Sequence, residues 1–201
     1  MIRVLQPKEI QALLAAIADL RYKTLVMLAV FSGARQGEII GLKWPDVDFD
    51  NSQIHIQRTY NNHGWYKPKS DASNRRVDLG PAMMKQLKLW RLACPPNDLD
   101  LVFPNNAGHV IDDVSFLKQT FFPALARAGI DRIRFHDLRH TFASLLIEQG
   151  ENIKYIQTQL GHASPSITLD VYSHLMRPSN PESAKNLENR VLGERHKQPS
   201  I

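Results

Sequence analysis

From Tyr22 to Ser32 the chain is apolar almost all round, and it stops at Gly33. A helix without a polar face has to be covered on every side, so this segment predicts a buried central helix, with Gly33 as the residue that ends it. Its longest uninterrupted apolar run, Leu25 to Phe31, is seven residues, against the roughly 20 that a bilayer span needs. Met1-Ile2-Arg3-Val4 opens no secretory signal, so the expected location is the cytoplasm, without a membrane partner. The one cysteine, Cys94, permits neither an internal disulfide nor a cysteine-rich zinc site. With 201 residues, 43% of them hydrophobic, the chain can build one sizeable core or two small ones. Packing, not cross-links, has to hold the fold.

Around the central segment the pattern is mostly helical. Ile10, Leu13, Leu14 and Ile17 recur at i, i+3, i+4, i+7, and Pro7 suits a first turn, which predicts an amphipathic helix over 7–19. A short helix is expected from Arg35 to Leu42, then helices over 82–92, 114–128, 137–149 and 152–160, with Gly129, Gly150 and Gly161 as stops. Ser164-Pro165 reads as an N-cap and first helical residue, opening a helix through Tyr172. Between them, Ile54 and Ile56 alternate with polar neighbours, Asn61-Asn62-His63-Gly64 offers turn chemistry, and Arg76 to Leu79 is extended. The expected class is therefore α+β, mainly α-helical, with a small antiparallel β-sheet. Residues 176–201 read as a linker, a short helix around 183–192 and a polar end.

Charge is informative only locally. The whole chain carries +5, but between His55 and Arg91 eight basic residues (Arg58, Lys67, Lys69, Arg75, Arg76, Lys85, Lys88 and Arg91) face only Asp71 and Asp78. Tyr60, Trp65 and Tyr66 are interleaved with them. Such a patch fits a surface that meets a phosphate backbone, and equally a solvated charged face.

Several chemistries fall away on spacing. Asp46-Val47-Asp48-Phe49-Asp50 starts like a calcium loop, but the sixth position is Asn51 and the twelfth Gln57, where glycine and glutamate are needed. His136 and His140 stand i, i+4 as zinc ligands do, yet Asp137 replaces the metalloprotease glutamate and no third ligand is evident. No glycine-rich phosphate loop with a following Lys-Ser or Lys-Thr occurs. What remains is a protic and cationic set: Arg35, Lys69, His136, Arg139, His162 and Tyr172. Singly, each is explained as a surface, capping or core residue. Together they match the needs of metal-free phosphodiester cleavage. Guanidinium groups offset the charge that grows on the non-bridging oxygens, and an acid protonates the leaving sugar oxygen. A tyrosine becomes a nucleophile once a cationic cluster favours its phenolate and a neighbour such as His136 takes its proton.

These residues lie in motifs that resemble a known family. Ser32-Gly33-Ala34-Arg35-Gln36-Gly37-Glu38, Leu42-Lys43-Trp44, and Lys69 ahead of Arg76-Val77-Asp78-Leu79 are similar to the first half of the tyrosine recombinase, or phage-type integrase, catalytic domain. His136-Asp137-Leu138-Arg139-His140-Thr141, Leu160-Gly161-His162 and Thr168 to His174 are similar to the second half, in order. The resemblance implies a catalytic-domain fold that cuts DNA through a 3′-phosphotyrosyl intermediate and rejoins it without metal, ATP or other cofactor. It implies that Arg35, Lys69, His136, Arg139 and His162 surround the scissile phosphate, that Tyr172 attacks it, and that Glu38 orients the first arginine. Arg58, Lys67, Arg75 and Arg76 are the expected DNA contacts, and Arg132 and Arg134 are further candidates.

The implied partners are double-stranded DNA, other protomers in a DNA-bound tetramer and accessory DNA-bending proteins, in a bacterial cell that hosts a phage or other mobile element. Residues 1–175 are expected to form the catalytic domain and 176–201 a tail that docks on a neighbour or on its own domain. The N-terminal clamp domain of family members is expected to be absent. A type IB topoisomerase-like relative and a DNA-binding module without chemistry are the alternatives.

Overall fold

The computed structural model describes residues 3–61, 64–67, 71–172 and 181–192. Its first helix, α1 (Pro7–Ala15), begins on its proline as expected but ends four residues early. The break arises because Asp19 caps a new helix, α2 (Leu20–Ser32), accepting from the Tyr22 amide at 3.1 Å. Leu25, Val26, Leu28, Ala29 and Val30 of α2 are buried, and α1, the short α3 (Gln36–Ile40), α4 (Pro81–Ala93) and α7 (Asp137–Glu148) pack around it. This is the covered centre that its composition demanded.

The sheet forms from β1 (Val47–Asp48), β2 (Gln53–Ile56) and β5 (Arg75–Asp78), antiparallel in the order β1-β2-β5. Ile54 pairs with Val77, and both point into the core with no exposure. A separate hairpin, β3 (Thr59–Asn61) with β4 (Gly64–Tyr66), packs on α3, so the expected single small sheet is two among the described residues. The Asp46 to Asp50 segment carries β1 and opens the turn that leads into β2. Asp46 accepts from the Lys43 amide and from Gln57 and Arg58, and Asp48 accepts from the Asn51 amide.

Between α4 and α5 (Asp113–Phe116) the chain has little regular structure, yet Leu101, Val102 and Phe103 are fully buried. The Val102 carbonyl accepts from Trp90 Nε1 at 2.6 Å. The helix expected over 114–128 is interrupted: α5 passes through a π-helical stretch, Leu117–Phe121, into α6 (Phe122–Arg127). Pro123 is the reason. It has no N–H to donate and its ring displaces the preceding turn, and the Phe122 amide reaches back five residues to the Leu117 carbonyl.

Then follow α7, α8 (Ile153–Leu160), α9 (Pro165–Tyr172) and α10 (Pro181–Leu192), close to the expected bounds. The fully buried part of the main core reaches Leu138 on α7, with Leu145 packed against it further along. A second apolar cluster of Phe142, Ala143, Ile156, Leu160 and Tyr172 begins one turn later. Arg139 lies between the two. On α10, Leu187, Val191 and Leu192 are exposed. No helix among the described residues is long and apolar enough to cross a membrane.

Candidate active site

The turn after α2 sets the first arginine. Gly33 adopts φ +59°, and Ser32 Oγ donates to the Leu28 carbonyl while accepting from the Ala34 amide. A Cβ at Gly33 would meet the Phe142 ring, so both backbone conformation and packing require glycine there. Arg35 then takes the N-cap position of α3. Glu38, in that helix's first turn, accepts from the Arg35 amide at 2.8 Å and from its guanidinium at 2.9 Å. The Arg35 side chain stays 41% exposed and lines a cleft of about 290 Å³ with Glu38, Ile56, Arg58, Thr59, Asn61 and Ser73.

Glu38 also receives Arg75, whose Nη1 and Nη2 donate to the two carboxylate oxygens at 3.2 and 3.0 Å. Arg75 donates further to the Gln159 carbonyl at 2.7 Å and to the Ser73 carbonyl at 3.2 Å. Its side chain is 3% exposed. This corrects its expected place among the DNA contacts: the guanidinium is spent inside the protein, joining β5, α3 and the end of α8. Gly161 makes room, since a Cβ there would lie 2.8 Å from Arg75 Cδ. Burial would raise the Glu38 carboxyl, but Arg75 and Arg35 beside it outweigh that and hold it below the ordinary range.

Arg139 is buried on α7. Its Nη1 donates to the Gly33 carbonyl at 2.7 Å and its Nη2 to the Leu160 carbonyl at 2.6 Å. Gly33 stands two residues before Arg35 and Leu160 two before His162, so one side chain locks both turns in place. Burial, reinforced by Arg35 and Arg75, pushes the Arg139 guanidinium down to about 9. The same forces bring His162 to about 4, through burial and then Arg139, Arg35, Arg75 and His140. His162 Nδ1 is 2.9 Å from Thr168 Oγ1. His136, at the N-cap of α7, makes no capping bond, and burial, His140 and three arginines hold its imidazole below the usual value. The positive charge of the neighbouring arginines thus opposes protonation of both histidines, and such a setting can accommodate an anion.

Tyr172 ends α9 and is 3% exposed. Burial pushes its phenol up to about 12, with Arg139 pulling more weakly the other way. The arginine does favour the phenolate, but burial outweighs it, and the phenol rests protonated. The phenol's hydrogen-bond partner is His140, Nδ1 to Oη at 2.6 Å, and not the expected His136. The His136 and His140 rings meet edge to face, centroids 5.1 Å apart. Lys69 lies outside the described residues.

Of the other expected DNA contacts, Arg76 is 56% exposed beside Asp48, Lys67 is exposed, and Arg58 reaches the cleft while tied to the buried Asp46. Arg134 is paired with Asp137, and Arg132 lies over the Phe122 ring. Sequence reading missed the burial of Arg75 and the contact of His140 with Tyr172. Strand alternation carried the signal for the first: with Val77 inward, Arg75 must be inward and Arg76 outward. For the second, the only trace was the i, i+4 spacing to His136.

The phage integrase family profile matches residues 3–177. The tyrosine recombinase XerC-like protein of Caldanaerobacter subterraneus subsp. tengcongensis is 31% identical over 95% of this chain and 55% of its own length. The ICEBs1 integrase of Bacillus subtilis is 29% identical over 92% of this chain and 54% of its own length. The chain thus spans about half the length of these curated relatives. Among solved structures, the Tn1549 transposon integrase in complex with circular intermediate DNA superposes with a TM-score of 0.77, covering 95% of this chain and 67% of that one at 20% identity. The catalytic domain of bacteriophage HP1 integrase superposes at 0.64, covering 100% of both chains at 24% identity. Both show the same fold, and on the profile match together with the 31% identity the chain belongs to the phage integrase family.

Proposed function

We propose that this chain is the catalytic part of a site-specific DNA recombinase that cuts and rejoins strands through a 3′-phosphotyrosyl intermediate. The observation that carries the reading is the double anchoring of Arg139 on the carbonyls of Gly33 and Leu160. It draws the turns bearing Arg35 and His162 to one place, beside the helix end that bears Tyr172. Arg35 and Arg139 hold the non-bridging oxygens of a phosphodiester and offset the charge that develops on them. His162, turned by Thr168, donates to the same phosphate from its other nitrogen, and His136 lines the site. Glu38 and Arg75 position Arg35 without touching the substrate. Tyr172 attacks phosphorus, the 5′-oxygen leaves, and Lys69 is the acid that protonates it. The phosphotyrosyl ester keeps the bond energy, so religation needs no ATP.

The DNA lies across the face carrying Lys67, Arg76 and the cleft arginines, within residues 1–175. In this reading the exposed Leu187, Val191 and Leu192 of the 176–201 tail dock on a neighbouring protomer of a DNA-bound tetramer, with accessory bending proteins, in the cytoplasm of a bacterial host. Integration or excision of a mobile element is the reaction served. The test is incubation with a nicked DNA substrate in chelator, followed by denaturing electrophoresis. Covalent protein on a 3′ end, lost in Tyr172→Phe, supports the reading, and its absence from the unaltered chain overturns it.

A further inference from the structure

Tyr172 is buried in an apolar cluster with Phe142, Ala143, Ile156 and Leu160, and among the described residues its phenol oxygen has a polar partner in His140, Nδ1 at 2.6 Å. An enclosed phenol cannot hand its proton to bulk water as it attacks, so the acceptor has to be a fixed group within hydrogen-bond reach. We propose that His140, not His136, is the general base that takes the phenolic proton of Tyr172 during strand cleavage and returns it during religation. This rests on the recombinase reading above.

The step balances. The Tyr172 O–H bond breaks and its proton passes to His140 Nδ1. The freed oxygen pair forms the bond to phosphorus, and the bond from phosphorus to the 5′-oxygen breaks with its electrons. That oxygen takes a proton from the site's general acid, the role that family resemblance gives Lys69.

The surroundings of His140 suit the task. It follows Arg139 directly on α7, so the base and the phosphate-holding arginine are fixed to one helical turn. Burial opposes an imidazolium there, Asp137 on the same helix favours one, and Arg134 and Arg139 oppose it. His136 packs edge-on against the ring, and His162, from the turn after α8, senses its charge. The balance holds His140 below the ordinary imidazole range. The ring is then neutral near pH 7, and the proposal requires the tautomer in which Nδ1 accepts and Nε2 carries the hydrogen. His140 stands ready to accept.

The experiment is single-turnover cleavage of a nicked substrate between pH 7 and 9, with DNA binding measured alongside. The unaltered chain is expected to cleave at a rate nearly flat in pH, because its base is already neutral. His140→Asn keeps an acceptor oxygen near the Nδ1 position but cannot take the proton. It is expected to be about 100-fold slower at pH 7, within the usual range for loss of a general base, and to gain about tenfold per pH unit as phenolate forms unaided. Replacing Tyr172 in that variant by a fluorinated tyrosine with a more acidic phenol should recover most of the rate. His136→Asn should lose rate while keeping a flat profile.

The proposal is overturned if His140→Asn cleaves like the unaltered chain, if its loss is flat in pH and unrescued, or if the slope appears in His136→Asn instead. A further readout needs no variant: nitrogen-15 spectra of the unaltered chain should show His140 with hydrogen on Nε2, and hydrogen on Nδ1 would overturn the assignment. Failure of the unaltered chain to form any adduct refutes the recombinase reading itself, a separate result.

Discussion

Glu38 and Arg75 are a buried pair of opposite charges, and removing one leaves the other charged and alone. Glu38→Gln is expected to cost about 3–5 kcal/mol of stability, whereas Arg76→Ala, one residue along the strand from Arg75 but exposed, should stay within about 0.5 kcal/mol. Urea denaturation of the two variants checks the contrast. The histidines add a pH dependence. His162 titrates at about 4 in the fold against 6.5 as an ordinary imidazole, and His136 and His140 are displaced the same way. Between those values the unfolded chain binds protons that the folded chain does not, so this contribution is complete above about 6.5 and fades as pH falls toward 4. Glu38 adds to the loss only below its ordinary value near 4.5. The urea midpoint should be lower at pH 5 than at pH 7.5, and His162→Asn should narrow the gap; equal gaps would count against this account.

Helix ends were the most legible elements. The apolar periodicity before Gly33, Gly129, Gly150 and Gly161 marks them as stops, and all four adopt positive φ. They are not equivalent. Gly129→Ala meets open space and should cost only the left-handed backbone penalty of about 1–2 kcal/mol. Gly33→Ala also drives a methyl into the Phe142 ring, which adds about 1–3 kcal/mol of overpacking. Denaturation should therefore rank Gly33→Ala at least about 1 kcal/mol below Gly129→Ala. The π-helical stretch before Pro123 was not anticipated, because the apolar period through it looks continuous. The buried Leu101-Val102-Phe103 segment gave no signal either: without a regular element, burial leaves no period in the sequence.

At the scale of the molecule, the local basic excess divides once folded. Arg75 turns inward to Glu38, while Lys67 and Arg76 face solvent. DNA affinity should fall with salt at a slope of about −0.9 in log K per log salt for each phosphate neutralised, and Arg76→Ala or Lys67→Ala should each flatten it by about that amount. Affinities measured from low to physiological salt would show it, and an unchanged slope in both variants would remove this face from the interface. Deleting 178–201 should weaken assembly on DNA while sparing nicking; lost nicking would instead tie the tail to the Tyr172 helix.

The helical class, the stops and caps, and the set of side chains able to serve phosphodiester chemistry are legible in the chain alone, because capping and periodicity depend on neighbours within a few positions. Tertiary structure decided which of two adjacent arginines is buried, which histidine holds the phenol, and which groups are neutral at rest. Those outcomes turn on partners far along the chain, Arg139 with Gly33 at a separation of 106 and Tyr172 with His140 at 32. Burial and electrostatic field at a side chain are summed over everything that packs around it, and no local pattern encodes that sum.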